Sequence, residues 1–178
     1  MKFRILAIAL LCVGVSAAAV GAQTPAKPDP EIAKMIKEVS AKNIEATIRK
    51  LVSFGTRNTL SEQDNPTRGI GAARRWIKSE LERCSGENGG RLKVEFDEHL
   101  APVSARIPQP TPIINVVATL PGEQAESRDR VYVVSGHYDS MRGSPTAPDG
   151  FAPGANDDGS GTASVMELAC VMSKYKFN

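Results

Sequence analysis

The sequence predicts an α/β fold, and its apolar pattern carries that prediction. Apolar residues recur three or four positions apart in stretches that we expect to be helices: 30–39, 40–54, 67–83 and 159–175. Shorter runs rich in apolar and β-branched residues indicate strands: 92–96, 113–118 and 131–134. The order is helices, then strands, then a strand, a loop and a helix, which is typical of α/β domains.

The first two helices carry clear start signals. Asp29 can cap a helix that begins at Pro30, because proline is favoured at the first helical position. Ser40 can cap a second helix, which Gly55 is expected to end. The apolar residues of the second helix share one face: Ile44, Ile48, Leu51 and Val52.

The third and the last helix are expected to pack inward through apolar faces. The face of the third helix is Ile70, Ala73, Ile77 and Leu81, and the face of the last helix is Val165, Leu168, Ala169 and Met172. The polar, glycine-rich run 85–90 predicts that the third helix ends by Arg83. Cys84 and Cys170 fall at apolar positions of these helices, so we expect two buried thiols rather than a disulfide.

The predicted strands differ in their expected burial. The run 92–96 alternates apolar and charged residues, which predicts a half-buried strand near a sheet edge. The run 131–134 is nearly all apolar, which predicts a central strand covered on both faces. A crossover helix after such a strand should lead to a parallel neighbour strand, but the sequence stops at Asn178. We therefore expect an open edge and an unfinished sheet.

The N-terminus has the features of a secretory signal peptide. Lys2 and Arg4 precede an apolar run, 5–15, that is shorter than the roughly 20 residues needed to span a bilayer. Small residues in Val20-Gly21-Ala22 predict cleavage after this triplet. We expect three segments, which are a signal peptide at 1–22, a flexible leader at 23–28 and one domain at 29–178. The mature protein should be periplasmic or secreted, without a membrane anchor.

The charge balance argues against two classes of partner. Removal of the signal peptide takes away two basic residues and no acidic ones, which leaves 20 basic and 20 acidic residues. Such a chain has no general attraction to nucleic acid or to an anionic membrane surface. We expect neither as a partner, and the oligomeric state stays open.

Candidate metal-binding residues follow the third predicted strand and open the last helix. His137 and Asp139 are two positions apart, so their side chains leave an extended chain on the same side. The loop before Asp157 is long enough to bring this residue over the same strand end. His137 and Asp157 are therefore candidate ligands, and Asp139 could hold the second imidazole nitrogen. A surface histidine beside a turn, and a capping turn at Asp157-Asp158, are the plainer alternatives.

Other kinds of site fit these residues less well. A serine-nucleophile elbow requires Gly-x-Ser-x-Gly, but Asp158 stands two positions before Ser160. A phosphate cradle lacks its third glycine and its preceding strand, and adjacent aspartates would repel a phosphate. A calcium loop from Asn156 to Glu167 is the closest rival, although its first position is Asn and no helix enters it.

Two segments, VVSGHYDS at 133–140 and PGANDDGSG at 153–161, resemble signatures of the zinc-dependent exopeptidases with two cocatalytic zincs. Bacterial leucyl aminopeptidases and glutamate carboxypeptidase-like peptidases belong to that family. The resemblance extends from about residue 40 to residue 178. It implies a three-layer α/β/α sandwich with a mixed, mostly parallel sheet.

The resemblance also implies a role for each candidate residue. His137 would bind one zinc ion, Asp157 would bridge two, and Asp139 would act in catalysis by orienting His137. The peptide bond between Asp157 and Asp158 is often cis in such enzymes. The implied reaction is removal of the N-terminal residue of a peptide substrate by a zinc-activated water. Release of dipeptides, or a carboxypeptidase activity, stays open.

Later parts of the family's pattern have no counterpart in these 178 residues. The family adds a Glu ligand beside a catalytic Glu, then another acidic ligand and a second His, whereas His99 lies before the site. The resemblance therefore implies the N-terminal part of a catalytic domain, truncated after the third strand and its helix and inactive alone. Two alternatives stay open, a catalytically dead binding module and a calcium-stabilised structural domain.

Overall fold

The structure is a computed structural model that describes Lys27, residues 29–127 and residues 129–177. The predicted signal peptide, 1–22, lies outside these residues, and so does the predicted leader apart from Lys27. None of the helices in the described part is long and apolar enough to cross a membrane.

The described chain combines helices with one sheet, which confirms the α/β class. Its main elements are α1 (Pro30–Glu38), α2 (Ala41–Ser53), α3 (Gly69–Glu87), β1 (Lys93–Ala101), β2 (Thr111–Thr119) and α4 (Ser160–Met172). A short 3-10 turn (Ala125–Ser127) and a wide helical turn (Ala155–Gly159) lie between β2 and α4.

The two predicted helix starts are confirmed. Pro30 is the first residue of α1, and the Asp29 side chain accepts a hydrogen bond from the Glu31 N–H at 2.7 Å. Ser40 Oγ accepts a hydrogen bond from the Asn43 N–H at 3.2 Å, which caps α2. Each cap satisfies an amide that has no partner within its helix, and such a cap is worth about 1 kcal/mol.

The core is built around α3. The predicted inner face of this helix is buried, with Ile70, Ala73, Ile77 and Leu81 each at most 5% exposed. Ile77 and Leu81 share one apolar cluster with Leu51, Leu92 and Met166, which come from α2, the start of the sheet and α4. Burial of one such side chain contributes roughly 1.5–3 kcal/mol, so this cluster holds three helices against the sheet.

β1 and β2 pair in antiparallel orientation, with Val94 opposite Ala118 and Phe96 opposite Val116. Val94, Val116 and Ala118 pack against the core cluster, while Lys93 and Glu95 of β1 are exposed. The predicted half-buried strand is therefore confirmed. In the described residues the sheet has these two strands, so the mixed, mostly parallel sheet implied by the family resemblance is not formed there.

The prediction of a buried central strand at 131–134 is wrong for the described structure. No described strand pairs with this segment, and its four side chains are 65–89% exposed. An apolar run becomes a covered strand only where neighbouring strands and helices lie on both sides of it. The described residues supply none, so the apolar sequence alone did not determine burial.

The predicted inner face of α4 is wrong for two of its four residues, whereas Ala169 packs against the core cluster as expected. Leu168 and Met172 are each 38% exposed, whereas Ala163, Met166 and Glu167 are buried. The cause is the carboxylate of Glu167, which accepts hydrogen bonds from the Ser40 N–H at 2.8 Å and from the Asn43 side chain. This contact turns a charged residue inward against the start of α2 and rotates the apolar stripe partly outward.

The third helix is longer than predicted, and the two cysteines are bonded rather than free. α3 continues to Glu87, and Ser85 Oγ donates a hydrogen bond to the Leu92 carbonyl, which anchors the last turn. The extra turn carries Cys84 to α4, where it forms a disulfide with Cys170 at a Cα–Cα distance of 5.3 Å. Sequence could not predict this bond, because it depends on a distance between two helices.

α1 is attached to the rest of the molecule mainly by polar contacts. It contributes no buried residue, and Ile32 and Ile36 are exposed. The Glu38 carboxylate accepts hydrogen bonds from the Tyr175 hydroxyl and from Lys174 Nζ, beyond the end of α4. The Tyr175 hydrogen bond lowers the pKa of Glu38, and the same contact raises the pKa of Tyr175 to about 12.

Removal of the disulfide is expected to lower the free energy of unfolding. The bond joins residues 86 positions apart, and the chain-entropy account gives roughly 4–5 kcal/mol for a loop of that size. The double variant Cys84→Ser, Cys170→Ser should unfold at a lower urea concentration than the oxidised wild type. Wild type treated with dithiothreitol should match the variant. Equal midpoints for the oxidised wild type and the variant would contradict the prediction.

Acidification is expected to release α1. The folded state lowers the pKa of Glu38 below its ordinary value of 4.5. The ionised carboxylate therefore stabilises the folded state fully above pH 4.5, and this stabilisation is lost as the pH falls through the folded pKa. In Glu38→Gln, α1 amides should already exchange faster at neutral pH, as measured by hydrogen exchange corrected for intrinsic rates. Glu45→Gln is the control, because Glu45 pairs only with Arg49 within α2. The idea fails if α1 exchanges alike in wild type and Glu38→Gln.

Candidate metal centre

The segment that carries His137 and Asp139 lies directly against the start of α4. Gly136 makes this approach possible, because a Cβ at that position would lie 2.7 Å from the Thr162 amide nitrogen. On the other side, the Tyr138 hydroxyl donates a hydrogen bond to the Ile114 carbonyl of β2. Burial raises the pKa of Tyr138 to about 12, so the hydroxyl keeps its proton for this bond.

The structure brings the three predicted site residues together around one imidazole ring. Nδ1 of His137 lies 3.0 Å from an oxygen of Asp139, and Nε2 lies 3.1 Å from an oxygen of Asp157. The peptide bond between Asp157 and Asp158 is cis, in agreement with the resemblance. The contacts do not by themselves test the roles of the three residues, which stay predictions.

The imidazole lies between two acceptors and favours a positive charge. Burial alone would lower the pKa of His137, but attraction and a hydrogen bond to Asp139 outweigh it, so the pKa is raised above its ordinary value. An unprotonated Nε2 and the Asp157 carboxylate would each direct lone pairs at the other. A cation between them, either a proton or a metal ion, removes that conflict.

The donor pair lies close to the spacing that zinc requires. Zinc–nitrogen and zinc–oxygen bonds of about 2.0–2.2 Å at tetrahedral angles place two donor atoms roughly 3.3–3.6 Å apart. The distance from His137 Nε2 to Asp157 Oδ1 is 3.1 Å, and the Asp157 side chain is 91% exposed, so an ion can reach it. The residues present therefore fit part of a zinc site.

No larger ligand set appears in the described structure. No group of three or more His, Cys, Asp and Glu side chains in the described ranges is arranged to hold a metal ion. His99 lies on β1, where it contacts Asp97 at 3.0 Å. Two donors, His137 and Asp157, are what this part of the chain offers.

Two further residues shape the site, of which the sequence had indicated Asp158, as part of a capping turn, but not Thr59. Thr59 donates a hydrogen bond to the second oxygen of Asp139 at 3.3 Å, so each oxygen of that carboxylate has a partner. Asp158 accepts hydrogen bonds from the N–H groups of His137 and Gly161, at 3.1 and 3.0 Å. The capping turn expected from the sequence accounts for Asp158, because Asp three positions before an amide of a helix start is a common cap. No comparable signal marks Thr59.

Two open clefts adjoin Asp139. One, of 360 Å³, lies between β2 and the His137 segment and includes Arg74 and Ile113 in its wall. The other, of 580 Å³, lies beside the turn at 104–107 and includes Met141. Both are large enough for small side chains of a ligand.

Comparison with known proteins relates the chain to metallopeptidases. Residues 115–178, which contain both site segments, match peptidase family M28. A protein of Leptosphaeria maculans named as a probable zinc metalloprotease is 52% identical over 88% of this chain and 36% of its own length. A protein with the same description from Pyrenophora teres f. teres is 51% identical over 85% of this chain and 31% of its own length.

A more distant relative has a more specific name. Leucine aminopeptidase 1 of Pyrenophora teres f. teres is 29% identical over 88% of this chain and 36% of its own length. The chain spans about a third of the length of the curated relatives that it matches. The matched region and the names of the relatives agree, and the chain therefore carries part of a zinc-dependent peptidase of family M28.

Proposed function

We propose that the protein to which this chain belongs is an exported aminopeptidase, which uses two zinc ions to hydrolyse the N-terminal residue of peptides. The observation that supports this most directly is the orientation of one imidazole. Nε2 of His137 faces an oxygen of Asp157, while Nδ1 is held by Asp139. The similarity to leucine aminopeptidase 1 supports the choice of an aminopeptidase within the peptidase family.

Each site residue has a defined task in this proposal. When bound, zinc polarises the scissile carbonyl and lowers the pKa of a bound water. His137 would hold one ion through Nε2, and the exposed Asp157 carboxylate has two oxygens with which to bridge two ions. Asp139 accepts a hydrogen bond from the Nδ1–H group, which fixes the tautomer with a free lone pair on Nε2 and raises the basicity of the ligand.

Two observations support an exported protein that acts on peptides. The disulfide between Cys84 and Cys170 is of a kind that persists in oxidising compartments such as the periplasm or the extracellular space. The clefts beside Asp139 offer room for peptide side chains next to the proposed zinc ligands. The even balance of charge gives no support for a nucleic acid or a membrane surface as partner.

Loss of either proposed ligand is expected to abolish zinc binding. For residues 23–178 alone we expect weak zinc binding and no peptide hydrolysis, because this segment offers two donor side chains. His137→Ala and Asp157→Ala should each remove the binding in a competition titration against a chromophoric chelator. Unchanged binding in both variants would disprove the assignment. Selective calcium binding with no response to zinc would favour a calcium-stabilised domain instead.

Asp139 is expected to strengthen zinc binding without contacting the ion. Asp139→Asn should weaken the zinc affinity about 10–100-fold, which is the usual effect of removing a carboxylate behind a ligand histidine. Asp97→Asn is a matched control, because Asp97 makes the same 3.0 Å contact with His99, away from the site. The control should bind zinc as wild type does. An Asp139→Asn variant with wild-type affinity would rule out the proposed role.

A further inference from the structure

One fully buried arginine connects the two segments of the metal centre. Arg57 lies in the loop after α2 and is 0% exposed. Its Nε donates a hydrogen bond to the Tyr138 carbonyl at 2.6 Å. Nη1 donates to the carbonyls of Leu51 and Pro153, and Nη2 donates to the carbonyl of Gly154, each at 2.9 Å.

The backbone of Arg57 adds to the same connection through Ser140. The Arg57 N–H donates to Ser140 Oγ at 3.1 Å, and the Ser140 N–H donates to the Arg57 carbonyl at 3.0 Å. Ser140 Oγ donates in turn to the Ala152 carbonyl at 2.8 Å. The segment 138–140 is thus held against the loop 152–154 by the hydrogen bonds of one guanidinium and one hydroxyl.

The carbonyl of Gly154 links this network to Asp157. It accepts the hydrogen bond from Arg57 and another from the Gly159 N–H at 3.0 Å, which closes the turn that contains Asp157. Gly154 has φ of +43°, and a Cβ there would lie 2.5 Å from the Ser140 side chain, so the turn packs tightly on the network.

The bonding of Arg57 is unusual for a buried charge. No described carboxylate lies within ion-pair distance of its guanidinium, and its partners are four backbone carbonyls. Burial lowers the pKa of Arg57 to about 10, against the attraction of Asp139, so it stays charged at neutral pH. A buried charge is costly unless its hydrogen bonds are made, so the four carbonyls must stay in position.

We propose that Arg57 is a positioning residue of the metal centre. It clamps the segment that carries His137 to the turn that carries Asp157, and it thereby sets the distance between the two donor atoms. This inference rests on the proposed zinc function, because the distance matters only if both residues hold an ion. Arginine suits this role because its planar guanidinium donates hydrogen bonds to several carbonyls at fixed angles, which a lysine ammonium cannot do.

The test compares Arg57→Lys and Ser140→Ala with wild type. The zinc affinity and the visible absorption spectrum of the cobalt(II)-substituted protein report the arrangement of the donors. Hydrogen exchange of the Ser140 and Gly159 amides in the metal-free protein reports the clamp itself. Leu81→Ala is the control, because Leu81 is a buried core side chain that takes no part in the hydrogen bonds of Arg57.

We expect Arg57→Lys to weaken zinc binding about tenfold or more, to change the cobalt spectrum and to speed exchange of both amides by a similar factor. Ser140→Ala should change the zinc affinity, the cobalt spectrum and the amide exchange in the same direction, but less. If Arg57→Lys does not fold, the Ser140→Ala protein serves as the test. Leu81→Ala should lower the melting temperature but leave the cobalt spectrum as in wild type.

Two outcomes would overturn the proposal. One is a folded Arg57→Lys or Ser140→Ala protein with wild-type zinc affinity and cobalt spectrum. The other is a Leu81→Ala protein with the same spectral change, since Arg57 would then act only through stability. If wild type itself bound neither zinc nor cobalt, the proposed function would fail. Exchange of the Ser140 and Gly159 amides in the metal-free protein would then be the only test of the clamp. Exchange at the wild-type rate in Arg57→Lys would refute it.

Discussion

The carboxylate of Asp158 accepts one hydrogen bond from the backbone of His137 and another from Gly161 at the start of α4, and the geometry of the site depends on this bridge. The His137 segment belongs to no described sheet, so no ladder of backbone hydrogen bonds holds it. Its position comes from a few contacts, which include the Asp158 bridge, the close approach at Gly136, the Tyr138 hydroxyl on β2 and the hydrogen bonds to Arg57.

The two adjacent aspartates have different tasks. The sequence offered a helix cap and a metal ligand as alternatives for this pair, and the structure is compatible with both. Asp158 caps the helix and is turned toward the protein, while Asp157 is exposed and faces the imidazole of His137. Negative charge at a helix start is stabilised by the helix dipole. The cap therefore supports the metal ligand rather than competing with it.

The stable parts of the fold lie behind the site. The core cluster around α3, the disulfide to α4 and the buried Glu167 contact hold the helices together, and Tyr138, next to His137, packs against this cluster. Open clefts and exposed donors lie on the other side, where an ion and a peptide could enter. Arg57 lies between these regions and contacts α2 as well as both site segments. This arrangement lets a rigid scaffold fix the spacing of exposed side chains.

The sequence by itself determined the features that depend on neighbours within a few residues. The caps at Asp29 and Ser40, the buried face of α3 and the alternation of β1 are local patterns, and the structure contains them. The grouping of His137, Asp139 and Asp157 was also predicted, and the structure contains it, although the described residues form no strand before His137 that would place it at a sheet edge.

Only the tertiary structure decided the features that depend on distant partners. The rotation of α4 follows from Glu167 meeting α2, and the disulfide follows from an interhelical distance. The exposure of 131–134 follows from the lack of described neighbours for that segment, whatever its apolar composition. The contacts of Arg57 likewise join residues about 80–100 positions apart. Burial and long-range hydrogen bonds are properties of pairs of elements, so no pattern within one element can specify them.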